Sequence, residues 1–413
     1  MMQLLMPVAD SDRVGNPATH YHGDQDSRMS PLVSIIIPTK DRHATLLPVV
    51  TALLAQIVGK NYEIVVQDNS ADNRAERMLL QLPNARHVTY RHEPLPVSIV
   101  ENTERAVCAS RGTYLIFIGD DDLVSPYICE VADFMDSRGI TCLTYPAAYY
   151  WWSSVSFVTP TPFHRAQAMW LPKIRGLGPQ KRIAKHVLDY TLANGAVSLF
   201  DLPRFYHGVV RRDVLDAIHA RTGTYVAGAS PDMAFSLALA MIVDEFWHVD
   251  FPVSVYGASR GSGGGRTAEK KHHGRIEEQR HLPQATIDGW DSRIPRVWSE
   301  QTIYPQTACE VLAAFGRPDT LRYEALYASM LVNEPYLSSW LRPLVGRYCL
   351  EKPGNVFRLL GAVGRKVIGR TIRSIKAHTG TMDFDVVSAE DVGACMTLLA
   401  KREFAPPTLD RTS

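Results

Sequence analysis

Three carboxylates in a row, Asp120, Asp121 and Asp122, follow the apolar run Tyr114-Leu115-Ile116-Phe117-Ile118 after a single glycine, Gly119. Adjacent carboxylates repel one another, and a cation or solvent must relieve the cost. A hard divalent metal with oxygen ligands, Mn²⁺ or Mg²⁺, is the natural partner, and it would in turn hold a substrate diphosphate. The plainer alternative is a solvated turn that caps the helix opened by Pro126. Two other polar clusters stand at the same place after an apolar run. They are Pro38-Thr39-Lys40-Asp41 after Val33–Ile37, and Asp68-Asn69-Ser70 after Glu63–Gln67. A further acid, Asp232, stands in the first turn of a helical run opened by Pro231, where the helix dipole favours the charged form.

The elements between these clusters set their geometry. Val33–Ile37 is a short β-branched run stopped by Pro38 and reads as a buried strand. Leu46, Leu47, Val50, Leu53 and Leu54 then fall at helical spacing between Arg42 and Ile57. The alternation continues with a strand over 63–67, a helix over 75–81, a weak strand over 87–91, a helix over 98–110 and the strand at 114–118. A helix from Pro126 to Arg138 and a strand over 140–145 follow. Strands alternating with helices predict a mostly parallel sheet with helices on both faces. In such sheets ligands bind beyond the carboxyl ends of the strands, which is where all three clusters stand.

The 413 residues are 46% hydrophobic and 21% charged, a composition that supports a core of normal size. With 44 Lys+Arg against 43 Asp+Glu the net charge is +1, so a general nucleic-acid binder is excluded and any basic patch is local. The six cysteines form no C-x-x-C pair and read as buried thiols of a reducing compartment. The opening MMQLLMPVAD lacks the basic flank and length of a signal peptide, and no run of about 18 apolar residues occurs. A cytoplasmic protein is expected, and residues 1–30, rich in Asp, Ser, His and Gly, are expected to form a loosely ordered tail.

The segments SIIIPTKDR, EIVVQDNSADN and GTYLIFIGDDDLVSP, in that order and spacing, resemble family 2 glycosyltransferases with the GT-A fold. The resemblance spans about 32–256 and is strongest over 32–146. It implies a Rossmann-like GT-A domain over 31–256, a flexible Gly/basic lid over 257–285 and a mainly helical C-terminal region over 286–413. It also implies transfer of a sugar with inversion, from a UDP-sugar or other nucleotide-sugar, using a divalent cation at an Asp-x-Asp-type motif. Carried over residue by residue, Pro38, Thr39 and Asp41 match the loop that touches the nucleotide, and Asp68 the acid that accepts from the base. Asp68 is otherwise a helix N-cap. Asp121 matches the principal metal ligand and Asp120 the ribose or second metal contact. Because Gly119 replaces the usual acid, Asp122 remains a candidate for that second role. Gly228-Ala229-Ser230-Pro231-Asp232-Met233 is similar to the motif that bears the general base, and with Pro231 in place of its first acid only Asp232 remains. Arg211 or Arg212 would reach a phosphate or be solvated, and Trp151 and Trp152 would stack on an acceptor sugar or lie in the core. In the lid, Arg266 and His272, among other bases, would neutralise the leaving diphosphate or add a metal ligand; the alternative is a plain linker. The implied acceptor is a glycan or lipid-linked saccharide for a surface polysaccharide. A non-catalytic glycan or nucleotide-sugar binder is a second reading. A sugar nucleotidyltransferase is a third, though Pro38-Thr39-Lys40-Asp41 lacks the glycine-rich loop it needs.

From Leu341 to His378 nine bases stand against one acid, Glu351. Val356, Leu359, Leu360, Val363, Val367, Ile368, Ile372 and Ile375 fall near one helical face. Such a helix lies on the inner face of an anionic membrane, or packs on the core or on a second copy in a homo-oligomer.

Overall fold

Val33, Ile35 and Ile37 point to one side of a strand and Ile36 to the other, and all four are fully buried. A strand with two apolar faces belongs in the middle of a covered sheet, and the computed structural model puts it there. It describes residues 30–406 except 60, 162, 269–273, 280, 318–320, 379–382 and 405, and only the backbone at 266–268, 373–378 and 402. The proposed tail therefore lies outside the described residues, as do Lys270, Lys271, His272 and His273.

In chain order the strands are β1 (Val33–Thr39), β2 (Tyr62–Asp68), β3 (Val88–His92), β4 (Tyr114–Phe117), β5 (Leu123–Val124), β6 (Cys142–Thr144), β7 (Ala148–Trp151), β8 (Ala168–Pro172), β9 (Gln180–Ile183), β10 (Val209–Arg211), β11 (Glu245–His248), β12 (Ser254–Ala258) and β13 (Phe384–Ser388). Eight of them form the main sheet in the order β3-β2-β1-β4-β10-β6-β11-β9. β1, β2, β3 and β4 are mutually parallel, while β10 runs against both β4 and β6. The expected α/β architecture is present, with a reversed strand inside it. A second sheet, β13-β8-β7-β12-β5, stands beside it.

The main helices that matter to the site are α1 (His43–Gln56), α2 (Arg74–Leu80), α3 (Ile99–Ala109), α4 (Ile128–Ser137), α5 (Ala184–Ala193), α6 (Arg212–Thr222) and α7 (Pro231–Ile242). Those that follow are α8 (Gly263–Ala268), α9 (Gln284–Asp288), α10 (Glu300–Ala314), α11 (Tyr323–Asn333), α12 (Ser338–Glu351), α13 (Gly354–His378) and α14 (Val392–Leu399). Side chains of α3, α5, α6, α7, α10 and α11 share one buried cluster with Ile36, Leu115 and Phe117. Those of α1, α2, α4 and α14 share the other with Val33, Ile35, Ile37 and Ile116. The sheet is thus covered on both faces. Local chemistry sets the helix starts: Ser98 and Glu101 close a capping box on α3, and Pro231 opens α7.

Two features depart from the expectation. The C-terminal region is mainly helical, but β13 within it pairs along its whole length with β8. The Gly-rich stretch after β12 is not an extended linker throughout, since Gly263–Ala268 turns into the short α8. Among the cysteines, Cys129, Cys142 and Cys395 are buried as expected, whereas Cys108 is exposed.

Candidate active site

The parallel register brings the polar strand ends to one edge. Thr39 of β1 is the register partner of Asp68 at the end of β2, and β4 lies on the other side of β1. Thr39 Oγ1 donates to Asp120 Oδ2 at 2.5 Å, tying the first cluster to the triplet. Asp41, in the left-handed region at φ 54°, turns the chain back so that its N–H reaches Ser70 Oγ at 2.7 Å. Lys40 Nζ donates to Asn69 Oδ1 at 3.0 Å. Pro38, Thr39, Asp41, Asp68 and Asp120 are therefore brought to one sheet edge.

The triplet is buried, and each member is compensated differently. Arg42 forms ion pairs with Asp120 Oδ1 at 2.8 Å and with Asp121 Oδ2 at 2.9 Å. Its Nη2 also donates to Ser259 Oγ at 2.6 Å. Ser259 N–H donates to Asp121 Oδ2 at 2.9 Å. Burial pushes the Asp120 and Asp121 carboxyls upward, and neighbouring Asp charge adds to it, while Arg42 pulls both back. Asp122 takes four donors. They are the N–H groups of Gly119 and Gly257, both at 2.6 Å, Tyr206 OH at 2.8 Å and His207 Nε2 at 2.9 Å. Burial alone would raise the Asp122 carboxyl, but His207 and the two backbone donors outweigh it and hold it below the usual range. His207 is itself anchored through Nδ1 to Ser254 Oγ at 2.6 Å.

This backbone cap explains a glycine. A Cβ on Gly257 would stand 1.7 Å from the Asp121 carbonyl oxygen, so only glycine lets β12 come this close. Trp152 completes the hold from its indole N–H to that same carbonyl at 2.9 Å. Trp151 instead packs among Phe157, His164 and Trp170.

The donor set decides what a divalent cation would find. Asp122 is saturated by protein donors, and Asp120 is engaged by Thr39 and Arg42. Asp121 Oδ1 takes no hydrogen bond from the described residues; Asp120 Oδ1 takes none either, but it is buried against the Arg42 guanidinium. No three His, Cys, Asp or Glu side chains among the described residues converge as a ligand set.

Asp232 stands in the first turn of α7. It is part-buried, and Tyr304 OH of α10 donates to its Oδ2 at 3.3 Å. Burial, reinforced by the charges of Glu300 and Asp122, pushes its carboxyl up to about 6. Tyr206 is near both Asp122 and Asp232: burial and then their charges, with that of Asp121, raise its hydroxyl well above the ordinary value.

Other expected residues are placed elsewhere. Arg211 pairs in register with Tyr114, the first residue of β4, and its guanidinium is bound to Asp213 at 2.7 Å. It thus stands at the sheet edge opposite the triplet, because β10 runs antiparallel. Arg212 follows it there, donating to the Gly112 carbonyl at 2.8 Å. Asp68 is fully buried, and its oxygens accept from Ser70 and Tyr90, the latter at 2.8 Å. Contact with a base would require the residues that cover it to move aside. Arg266 falls on α8, where only the backbone is described.

Arg42, Ser259, Glu300 and Tyr304 are given no role by the sequence reading. Arg42 ends the quoted SIIIPTKDR, and an arginine beside a loop facing three acids was a usable signal. Tyr206 and His207 precede Arg211 and Arg212, and only the strand's direction decides which pair meets the triplet.

Buried carboxylates at the carboxyl edge of a parallel sheet, facing a further acid at a helix start, define a polar site of an α/β enzyme domain. Residues 34–193 match the family model of glycosyl transferase family 2. An uncharacterized protein y4gI of Sinorhizobium fredii (strain NBRC 101917 / NGR234) is 29% identical over 118 residues, which are 28% of this chain and 13% of that protein. Among solved structures, residues 1–349 of S. aureus TarS in complex with UDP-GlcNAc align over 81% of this chain and 89% of that one, at 13% identity and a TM-score of 0.43. The longer S. aureus TarS structure aligns over 81% of this chain and 55% of its own, at 13% identity and a TM-score of 0.42.

Proposed function

We propose that the protein is an inverting glycosyltransferase that moves a sugar from a nucleotide-sugar, specifically a UDP-sugar, to a hydroxyl of a glycan or lipid-linked saccharide in surface polysaccharide synthesis. The observation that supports the reading is that Tyr206, which donates to Asp122 at 2.8 Å, feels the charges of both Asp121 and Asp232, and that the Asp232 carboxyl is itself pushed up to about 6. Asp232 takes the proton of the acceptor hydroxyl as its oxygen attacks the anomeric carbon. The new C–O bond forms as the bond to the diphosphate breaks, and the electron pair leaves with the diphosphate. Arg42, held on Asp120 and Asp121, keeps a positive charge beside the place where that negative charge collects. Thr39, Asp41 and Pro38 line the strand-end loop that would seat the nucleotide, and Asp120 would face its ribose. A Mn²⁺ or Mg²⁺ ion would be held by Asp121 and would supply charge neutralisation for the diphosphate.

A screen of nucleotide-sugars against the purified full chain, by thermal shift with and without Mn²⁺, tests donor class and metal need together. Stabilisation by a UDP-sugar that is enhanced by Mn²⁺ is expected. Equal response to every nucleotide, or none to any, would overturn the donor assignment. Asp121→Ala is expected to abolish the Mn²⁺ enhancement.

A further inference from the structure

α13 is a 25-residue helix whose two sides lead different lives. Asn355, Leu359 and Ala362 are buried against the body of the protein. At about 100° per residue, the opposite arc carries Val356, Phe357, Leu360, Val367, Ile368 and Ile372. Phe357 is 78% exposed, Leu360 62% and Ile368 61%. A contiguous exposed apolar band of this kind on an otherwise packed helix marks an interaction surface. Its borders are basic. Arg358 and Arg365, seven residues apart, line one margin and Arg370 the other, where its Nη1 also donates to the Val332 carbonyl at 2.6 Å. Exposed Arg342, Arg347 and Lys352 extend the basic field along the preceding α12.

We propose that this face of α13 is an in-plane docking surface for an anionic lipid bilayer. The aliphatic and aromatic side chains enter the headgroup boundary while the flanking arginines meet lipid phosphates. The charge pattern selects this occupant. α13 contains no acidic residue, so a second copy set against the same face would bring arginines against arginines. A negatively charged surface complements both margins at once. No helix among the described residues is long and apolar enough to cross a membrane, so the contact lies in the membrane plane. The inference goes beyond the transferase reading and does not depend on it, because binding is measured without donor.

The test is co-sedimentation of the full chain with vesicles of phosphatidylcholine alone or with 30% phosphatidylglycerol, at two salt concentrations. Salt-sensitive binding to the anionic vesicles only is expected. Leu360→Asp with Ile368→Asp, and separately Arg358→Glu with Arg365→Glu, should each reduce the bound fraction roughly tenfold or more. The substituted side chains are exposed, and circular dichroism checks that both variants remain folded. Wild-type protein left in the supernatant with anionic vesicles at low salt would overturn the proposal. So would unchanged binding of either variant. A dimer in light scattering that Ile368→Asp converts to monomer would equally overturn it, by showing that a second copy covers the face.

Discussion

The triplet at the end of β4 and the single acid at the start of α7 are built from the same side chain and treated in opposite ways. Asp122 accepts four hydrogen bonds and is held ionised. Asp120 and Asp121 share one guanidinium. Asp232 receives one long hydrogen bond from Tyr304 and faces the charges of two other acids. The first region spends its donors on holding negative charge in place. The second withholds them, which leaves a carboxylate able to take up a proton near neutral pH. The two regions differ here in donor count, not in residue type.

The largest expected effect breaks the reactive side of that contrast. Asp232→Asn keeps the shape and removes the proton acceptor, so transfer should fall by about 10²–10⁴-fold while donor affinity by calorimetry stays the same. A fully active variant would remove Asp232 as the base. Stability should move the other way. A carboxyl raised to about 6 in the fold costs stability as pH rises from the ordinary carboxylate range through that value. At pH 8 the Asn variant should therefore be more stable by about 1–2 kcal/mol, discounted for its partial exposure. At pH 4 the gain should vanish.

The next effect breaks the scaffold side. Asp122→Asn leaves Tyr206, His207 and two backbone N–H groups facing a partner that cannot satisfy them all. Unfolding in urea at pH 7 should show a loss of about 3–5 kcal/mol. Because the Asp122 carboxyl is held low, the stability it contributes is present above the usual carboxylate range and is lost as pH falls below it. The gap between wild type and variant should therefore narrow in acid. Tyr206→Phe removes only one of the four donors, and about 1–2 kcal/mol is expected in the same measurement.

How much of this was legible in the sequence depends on the range of the signal. The strand at 114–118 and the helix opened by Pro231 are local patterns, and both stand where the spacing put them. The convergence of Thr39, Asp68 and Asp120 followed from parallel topology. Arg211 did not, because nothing in Val209-Val210-Arg211 records that β10 runs backwards between β4 and β6. The same reversal brings Tyr206 and His207 to the triplet. The Gly257 and Ser259 caps were hidden in a stretch whose glycines look like a linker, although one of them is required by a close backbone approach. β13 escaped notice because Phe384–Ser388 is short and its partner β8 is more than 200 residues away.

The smallest expected effect sharpens the comparison rather than breaking it. Glu300 and Tyr304 lie one turn apart on α10, in the C-terminal region and outside the matched family segment, yet both act on Asp232. Tyr304 donates to its carboxylate and favours the charged form, whereas Glu300 adds like charge and disfavours it. The acidic limb of kcat/KM should therefore stand near pH 6 if Asp232 must be deprotonated to act. Glu300→Gln removes the opposing charge and should move that limb to lower pH by less than one unit, with little change in the plateau rate. Tyr304→Phe should move it to higher pH. Opposite displacements from two positions on one helix would show that α10 tunes the base. A limb that stays fixed in both variants would mean that the titrating group is not Asp232, and the contrast between the two acid regions would have to be redrawn.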